Sequence, residues 1–205
     1  MHTTTDGATP YTHSASGWLA SPPVGWRRWL LRAPLLLWRL GGRPVIGQRL
    51  AVLTTIGRRS GRPHRAVVEY VLVNHCVVVA SGWGGQADWV KNIEANPVVT
   101  VQTAGRTQGC AARRVTDRAT LTVVYHAMRA SPALAPTLYA WGVHPANLDE
   151  LLAAADRSHF YMLEPISAAA PPPLPEDLRW LTLFAFVQLA LLALGCVRRG
   201  RRCAG

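Results

Sequence analysis

The stretch Gly57-Arg58-Arg59-Ser60-Gly61-Arg62-Pro63-His64-Arg65 sets arginines, a hydroxyl and an imidazole around two glycines. Glycine lets a short turn fold back on itself. Guanidinium groups offer forked donors that match phosphate or carboxylate oxygens, and Ser60 adds a hydroxyl. The chemistry open to such a turn is anion binding, although a solvated hairpin tip has the same composition. A second constellation, Ala80-Ser81-Gly82-Trp83-Gly84-Gly85, leads into a helix-forming stretch with Asp88, Trp89, Lys91 and Asn92. Here a ligand can approach the backbone closely, and unpaired N–H groups at a helix start attract anions. Trp83 is placed either over a ligand or over the core edge. Trp89 and Ile93 lie four apart with Asn92 between them in angle, so one helix face is part apolar and part amide.

Composition narrows what these groups can serve. The chain has 205 residues, 49% hydrophobic and 16% charged, with a net charge of +11. That suits one domain with one core and excludes a disordered chain. Asp6 is the only acid before Glu69, whereas ten arginines precede Glu69. An acid-free, arginine-rich half seeks anions: nucleic acid, anionic lipid or a phosphorylated ligand. No nucleic-acid recognition motif accompanies the charge. The four cysteines and seven histidines show no metal-ligand spacing, which predicts reduced thiols and no structural metal.

The elements that must position these residues follow from pattern. Residues 1–17 read as a disordered head without a signal peptide. Within a basic segment over 18–44, Trp26, Trp29, Leu30, Ala33, Leu37 and Leu40 share one helical side. Arg28, Arg32 and Arg39 share the other, and Pro34 divides the stretch. Such a helix can lie on anionic lipid or cap one end of the domain. Strands are predicted at Leu50–Ile56, Arg65–Val73 and Cys76–Ala80, with Asn74-His75 as a tight connection. A helix over Gln86–Ala95 stops at Asn96-Pro97. Then come strands at Val98–Thr103 and Gln108–Val115, a helix capped by Thr116 or Asp117, turns near Pro132 and Pro136, a helix over 146–155 and a last strand from His159. Without GxGxxG or βα alternation, a small antiparallel barrel with flanking helices fits better than a doubly wound sheet.

The barrel domain is expected over 45–166, followed by a proline-rich linker over 167–177 that holds the tail away from it. Trp180 to Val197 is an apolar run broken strongly only by Gln188, with Arg198, Arg199, Arg201 and Arg202 after it. Its length predicts a membrane-associated helix over 178–205.

Four motifs in order carry a resemblance. Leu53-Thr54-Thr55-Ile56-Gly57-Arg58-Arg59-Ser60-Gly61 is followed by Val78-Val79-Ala80-Ser81-Gly82. Ala87-Asp88-Trp89-Val90-Lys91-Asn92-Ile93-Glu94-Ala95-Asn96-Pro97 and Val99-Thr100-Val101-Gln102 complete the set. Residues 50–116 resemble the deazaflavin-dependent nitroreductase family, which includes F420H2-dependent quinone reductases. The resemblance implies a split β-barrel and coenzyme F420, a deazaflavin with a phosphate and an anionic glutamyl tail. By that resemblance Arg58, Arg59 and Ser60 hold the phosphate or tail, and His64 and Arg65 line the cofactor's side chain. Val79, Ala80, Ser81 and Gly82 meet the ring edge, and Asp88, Trp89, Val90, Lys91 and Asn92 supply helix-start contacts. Tyr139 is the candidate for the reaction centre. His64 stands where the family usually has arginine, and Val90 where it often has an aromatic.

The expected function is hydride transfer from reduced F420 to a quinone or nitro-type acceptor at the cytoplasmic face of the cell membrane, with the tail on lipid. Two alternatives share the barrel: a carrier that binds F420 or a flavin without turnover, and an FMN-dependent oxidoreductase. Positive charge after the tail also favours the inside of the membrane, so a single spanning helix conflicts with a cytoplasmic F420 domain.

Overall fold

A computed structural model of the chain describes residues 32–130, 148–155 and 159–203. The head, the tryptophans at 26 and 29, the turns near Pro132 and Pro136, and Tyr139 lie outside those residues. Six strands are β1 (Leu50–Ile56), β2 (Pro63–Val73), β3 (Cys76–Ala80), β4 (Val98–Gln102), β5 (Thr107–Arg114) and β6 (Phe160–Pro165). They close into a barrel in the order β1-β2-β3-β6-β5-β4, every neighbouring pair antiparallel. Closure removes the open edges that would recruit other chains. The architecture is therefore a mainly-β barrel with flanking helices, as the strand pattern predicts.

Local chemistry explains the connections. Asn74 and His75 both have positive φ, 49° and 65°, which matches the twist needed by a two-residue hairpin. The β1–β2 turn is closed by Gly57 N–H donating to Arg62 O at 2.8 Å and Gly61 N–H donating to Gly57 O at 2.8 Å. Gly61 sits at φ 64°, which favours glycine, and a Cβ on Gly57 would come within 2.5 Å of the His64 ring and displace it.

Strand alternation sorts the β1 side chains into two cores. Ala51 and Leu53 point into the barrel with Val68, Val79, Val99 and Leu163, whereas Val52 points out against Trp38 and Leu174. Helix α3 (Asp88–Ala95) plugs the barrel with Trp89, Val90 and Ile93. Helices α4 (Arg118–Arg129) and α5 (Leu148–Ala155) cover the outer face through Leu121, Val124, Met128 and Leu151. Asp117 caps α4 by accepting from Thr120 N–H at 2.7 Å, and that bond holds its carboxyl below the usual range. Burial pushes the Cys110 thiol up to about 11, which keeps it protonated and inert near neutral pH.

Three expectations are corrected. Helix α3 begins at Asp88, not Gln86, because Gly84–Gln86 forms a separate 3-10 turn and Ala87 is extended (φ −63°, ψ 133°). The N-terminal segment forms α1 (Ala33–Leu37), an irregular turn over Trp38–Gly42 and α2 (Arg43–Ile46). Gly41 at φ 91° turns the chain there, so Trp38 is the buried side chain and Leu37 is exposed. The proline-rich stretch does not hold the tail away. It straps the barrel: Thr100 Oγ1 donates to Pro171 O, and the Gln102 amide bonds both Leu174 N–H (2.7 Å) and Leu174 O (3.1 Å). Prolines cannot donate to a sheet ladder, so the buried side chains of β4 supply the hydrogen bonds that fix the strap. The tail follows as α6 (Arg179–Cys203). Among the described residues no helix is long and apolar enough to cross a membrane.

Gln102 is 2% exposed and satisfies two backbone groups of the strap. Gln102→Ala leaves both unpaired and is expected to lower stability by about 2 kcal/mol. Urea unfolding of the variant checks this; an unchanged midpoint would show that the strap contributes nothing to the barrel.

Candidate functional site

The two constellations converge because β1 and β2 pair antiparallel, with Thr54 opposite Arg65 and Thr55 opposite His64, and α3 packs across their ends. Asn92, on α3, joins all three. It is 3% exposed; its Nδ2 donates to Thr55 Oγ1 at 3.1 Å, and its Oδ1 accepts from Arg58 N–H at 3.2 Å and Arg58 Nη1 at 3.1 Å. Arg58 Nη2 also reaches Asp88 Oδ1 at 3.2 Å. The carboxylate at the first helical position suits the positive end of α3 as well as Arg58. Within the turn, Ser60 Oγ lies 3.2 Å from His64 Nε2 and accepts from Arg62 N–H at 3.3 Å.

Two cavities open on this arrangement. One, of about 430 Å³, has a polar wall of Thr55, His64, Arg65, Gln86, Asp88 and Asn92. The other, of about 260 Å³, is mainly apolar, with Val71, Val78, Val79, Val124, Met128 and Phe160 around the backbone of Ala80–Gly82. Val67, Glu69, Trp83 and Trp89 line both, so the two make one trough with a polar end of mixed charge and an apolar end. Ser81 Oγ donates to Gly84 O at 2.9 Å, which fixes the loop that carries Trp83 between them. Trp89 is held in turn by an edge contact with Tyr161, ring centroids 5.9 Å apart.

Two buried donors on this trough, Arg65 Nε and Trp83 Nε1, have no hydrogen-bond partner. A buried unsatisfied donor costs about 1–3 kcal/mol, and an oxygen-rich ligand would remove that cost. The donor set therefore suits an anionic ligand with a flat apolar portion. Among the described residues no group of three or more His, Cys, Asp or Glu side chains could hold a metal ion.

The expected residues divide by position. His64, Arg65, Asp88, Trp89 and Asn92 line the polar end, and Val79, Ala80, Ser81 and Gly82, with Trp89 again, line the apolar end. Arg58 touches the site through Asn92 and Asp88. Arg59 and Ser60 lie exposed on the turn and line neither cavity. Lys91 also lines neither, and Val90, at 0% exposure, packs inside the barrel. Sequence pattern did not single out Glu69, Val124 or Met128. Glu69 had one available signal: an acid inside a β-branched strand. The α4 residues had none, since an apolar helix face reads the same over a cavity as over a core.

Several solved structures are similar to this chain. They include General Stress Protein 26 from Bacillus anthracis str. Sterne (20% identity, 63% of this chain and 88% of that one, TM-score 0.41). A structure described as F420-H2 Dependent Reductase FDR-A shares 20% identity over 57% of this chain and 95% of its own, TM-score 0.40. The haem storage protein HutZ from Vibrio cholerae shares 17% over 67% and 92%, TM-score 0.40. No curated protein matches the chain. The sequence signature described as F420H(2)-dependent quinone reductase matches residues 39–141, which takes in β1 to α4 and the polar cavity's lining from Leu50 to Asn92, and the chain belongs to that family.

Proposed function

We propose that the protein is an oxidoreductase that passes a hydride from reduced coenzyme F420 to a quinone or nitro-type acceptor, with a quinone as the natural one. The observation that carries this reading is the divided trough in a chain of this family: a polar end with His64 and the unsatisfied Arg65 Nε, continuous with an apolar end. F420 has the same division, a flat deazaflavin at one end and a phosphate with a glutamyl tail at the other. FMN lacks the glutamyl tail and leaves Arg59 and Arg62, at the rim of the polar end, with less to bind.

Reduced F420, when bound, supplies the hydride. The chain binds and orients it and keeps water from the reacting face. Arg65 and His64 hold the phosphate side, and Arg59 and Arg62 draw in the anionic tail from solution. The backbone of Val79–Gly82 meets the ring edge, and Trp83 covers it. Arg58 and Asn92 act by holding the basic turn against α3, and Tyr139 belongs near the acceptor. No general base is required of the protein. A lipid-soluble acceptor sets the domain at the cytoplasmic face of the cell membrane. The apolar composition of the helix over 179–203 supports that placement.

The full-length protein titrated with F420 and with FMN is expected to prefer F420. Reduced F420 mixed with menadione should then be reoxidised, as followed by deazaflavin absorbance. Binding without oxidation leaves a carrier; preference for FMN overturns the cofactor assignment. Arg59→Ala with Arg62→Ala is expected to weaken F420 binding about ten-fold at low salt and far less at high salt, since exposed charges are screened. Asn92→Ala should act differently. It removes the acceptor shared by the Arg58 N–H and Nη1 and leaves Arg58 held by Asp88 alone, so trypsin is expected to cut after Arg58 or Arg59 several times faster, at either salt concentration. Unchanged cleavage would show that the turn holds its shape without the amide.

A further inference from the structure

We propose that the N-terminal turn and the C-terminal helix form one lipid-docking platform, and that its partner is an anionic phospholipid bilayer. The helix itself gives the first reason. Every residue of α6 from Leu183 to Leu192 is exposed, and of these only Gln188 is polar. Such a run makes nearly three turns and points in every direction around the axis. Phe184, Phe186 and Leu189 are 58%, 71% and 63% exposed. A protein groove covers one stripe of a helix, whereas a helix apolar all round calls for an apolar medium on all sides. Trp180, 61% exposed at the root, has the ring type that suits the boundary between lipid and water.

Charge selects the lipid. From Leu178 onward the sequence holds Arg179, Arg198, Arg199, Arg201 and Arg202 and no acid. Arg179 pairs with Glu176, and the four arginines after Val197, with no acid near them in sequence, draw the segment to anionic headgroups. A second copy would bring the same net positive charge to the contact.

The mount gives the second reason. Arg39 forks onto Asp177 at 2.8 and 2.7 Å, which raises the arginine's pKa and lowers the carboxyl's. Leu178 N–H donates to Arg39 O at 3.1 Å, and Thr182 Oγ1 donates to Leu40 O at 3.0 Å. A Cβ on Gly41 would lie 2.8 Å from Arg179 Cγ, so the turn and the helix root touch. The same N-terminal segment leaves Leu36 (51%), Leu37 (49%) and Val45 (76%) exposed. It also sends Arg32, Pro34 and Leu35 to the wall of the polar cavity. Lipid that takes up α6 is thus tied, through one turn, to the edge of the trough. Uptake into the apolar layer need not be crossing. The platform extends the membrane placement proposed above, but its test needs no cofactor, so the two can fail separately.

The test uses the full-length protein with vesicles of phosphatidylglycerol and phosphatidylcholine, and with phosphatidylcholine alone. Flotation is expected with the anionic vesicles and about five-fold less with the neutral ones. Backbone hydrogen exchange on bound vesicles should slow over both 33–46 and 179–192. Leu183→Asn with Phe186→Asn and Leu189→Asn should abolish flotation while the thermal transition stays in place, because those side chains are each more than half exposed. Failure to float with either vesicle overturns the proposal, as does equal flotation with both. A lipid-free dimer held by α6 overturns the choice of partner. Slowed exchange confined to 179–192 overturns the platform.

Discussion

A single buried amide sets the geometry on which the site depends. Asn92 is enclosed between β1, the basic turn and α3, and each of its polar atoms is taken by the protein. A buried amide with its bonds made is specific, because any shift of one partner leaves another unpaired. It therefore fixes three things at once: how deep α3 sits in the barrel mouth, where the turn over 57–62 stands, and which way Arg58 points. The trough is the space that remains beside this joint, bounded by β2 on one side and the Trp83 loop on the other.

The strap makes a second joint of the same kind on the opposite side of β1. Thr100 and Gln102 sit on β4, which pairs with β1, and their side chains hold Pro171 and Leu174 over Val52 and Trp38. Both faces of β1 are thereby covered, which explains why Ala51 to Thr55 is buried without interruption although it is a barrel strand. The order of events along the chain matters less than this enclosure: segments far apart in sequence meet on one strand because its two faces each need an apolar cover.

How much of this the sequence reveals depends on whether the signal is local. The six strands are readable because β-branched runs alternate with turn residues, and Asn74-His75 and Gly57 to Gly61 are turn chemistry in themselves. The anion-binding turn and the glycine-rich loop are readable as separate motifs, and pairing of β1 with β2 brings them together. The strap is not readable. Prolines predict an extended chain but carry no mark of what it lies on, and Gln102 looks like any polar residue at a strand end until its partner is known. The N-terminal face fails for a related reason. A 3.6-residue period assumes one continuous helix, and Gly41 ends that continuity, so Trp38 turns inward where the period points Leu37. Val90 shows the limit of a motif: it packs in the barrel core beside Trp89, but only Trp89 also reaches the trough.

The net charge of +11 invites a simple electrostatic account of ligand binding, and the ion pairs reduce it. Arg39, Arg43, Arg58, Arg113, Arg118 and Arg179 each pair with a carboxylate. Most of those pairs are at the surface, where each adds little stability. Their effect on the field is larger than their effect on folding, since each cancels positive charge where it forms. Arg59 and Arg62 stand apart on the turn with no ion pair to a described acid, and Arg65 lies behind them with a buried, unpartnered Nε. The polar wall of the trough is itself mixed in charge, with Arg32 and Arg65 beside Glu69 and Asp88, and Arg59 and Arg62 add positive charge on the neighbouring turn. A uniformly basic surface would hold any polyanion. A trough that is polar and charged at one end and apolar at the other is instead matched to a molecule with the same division.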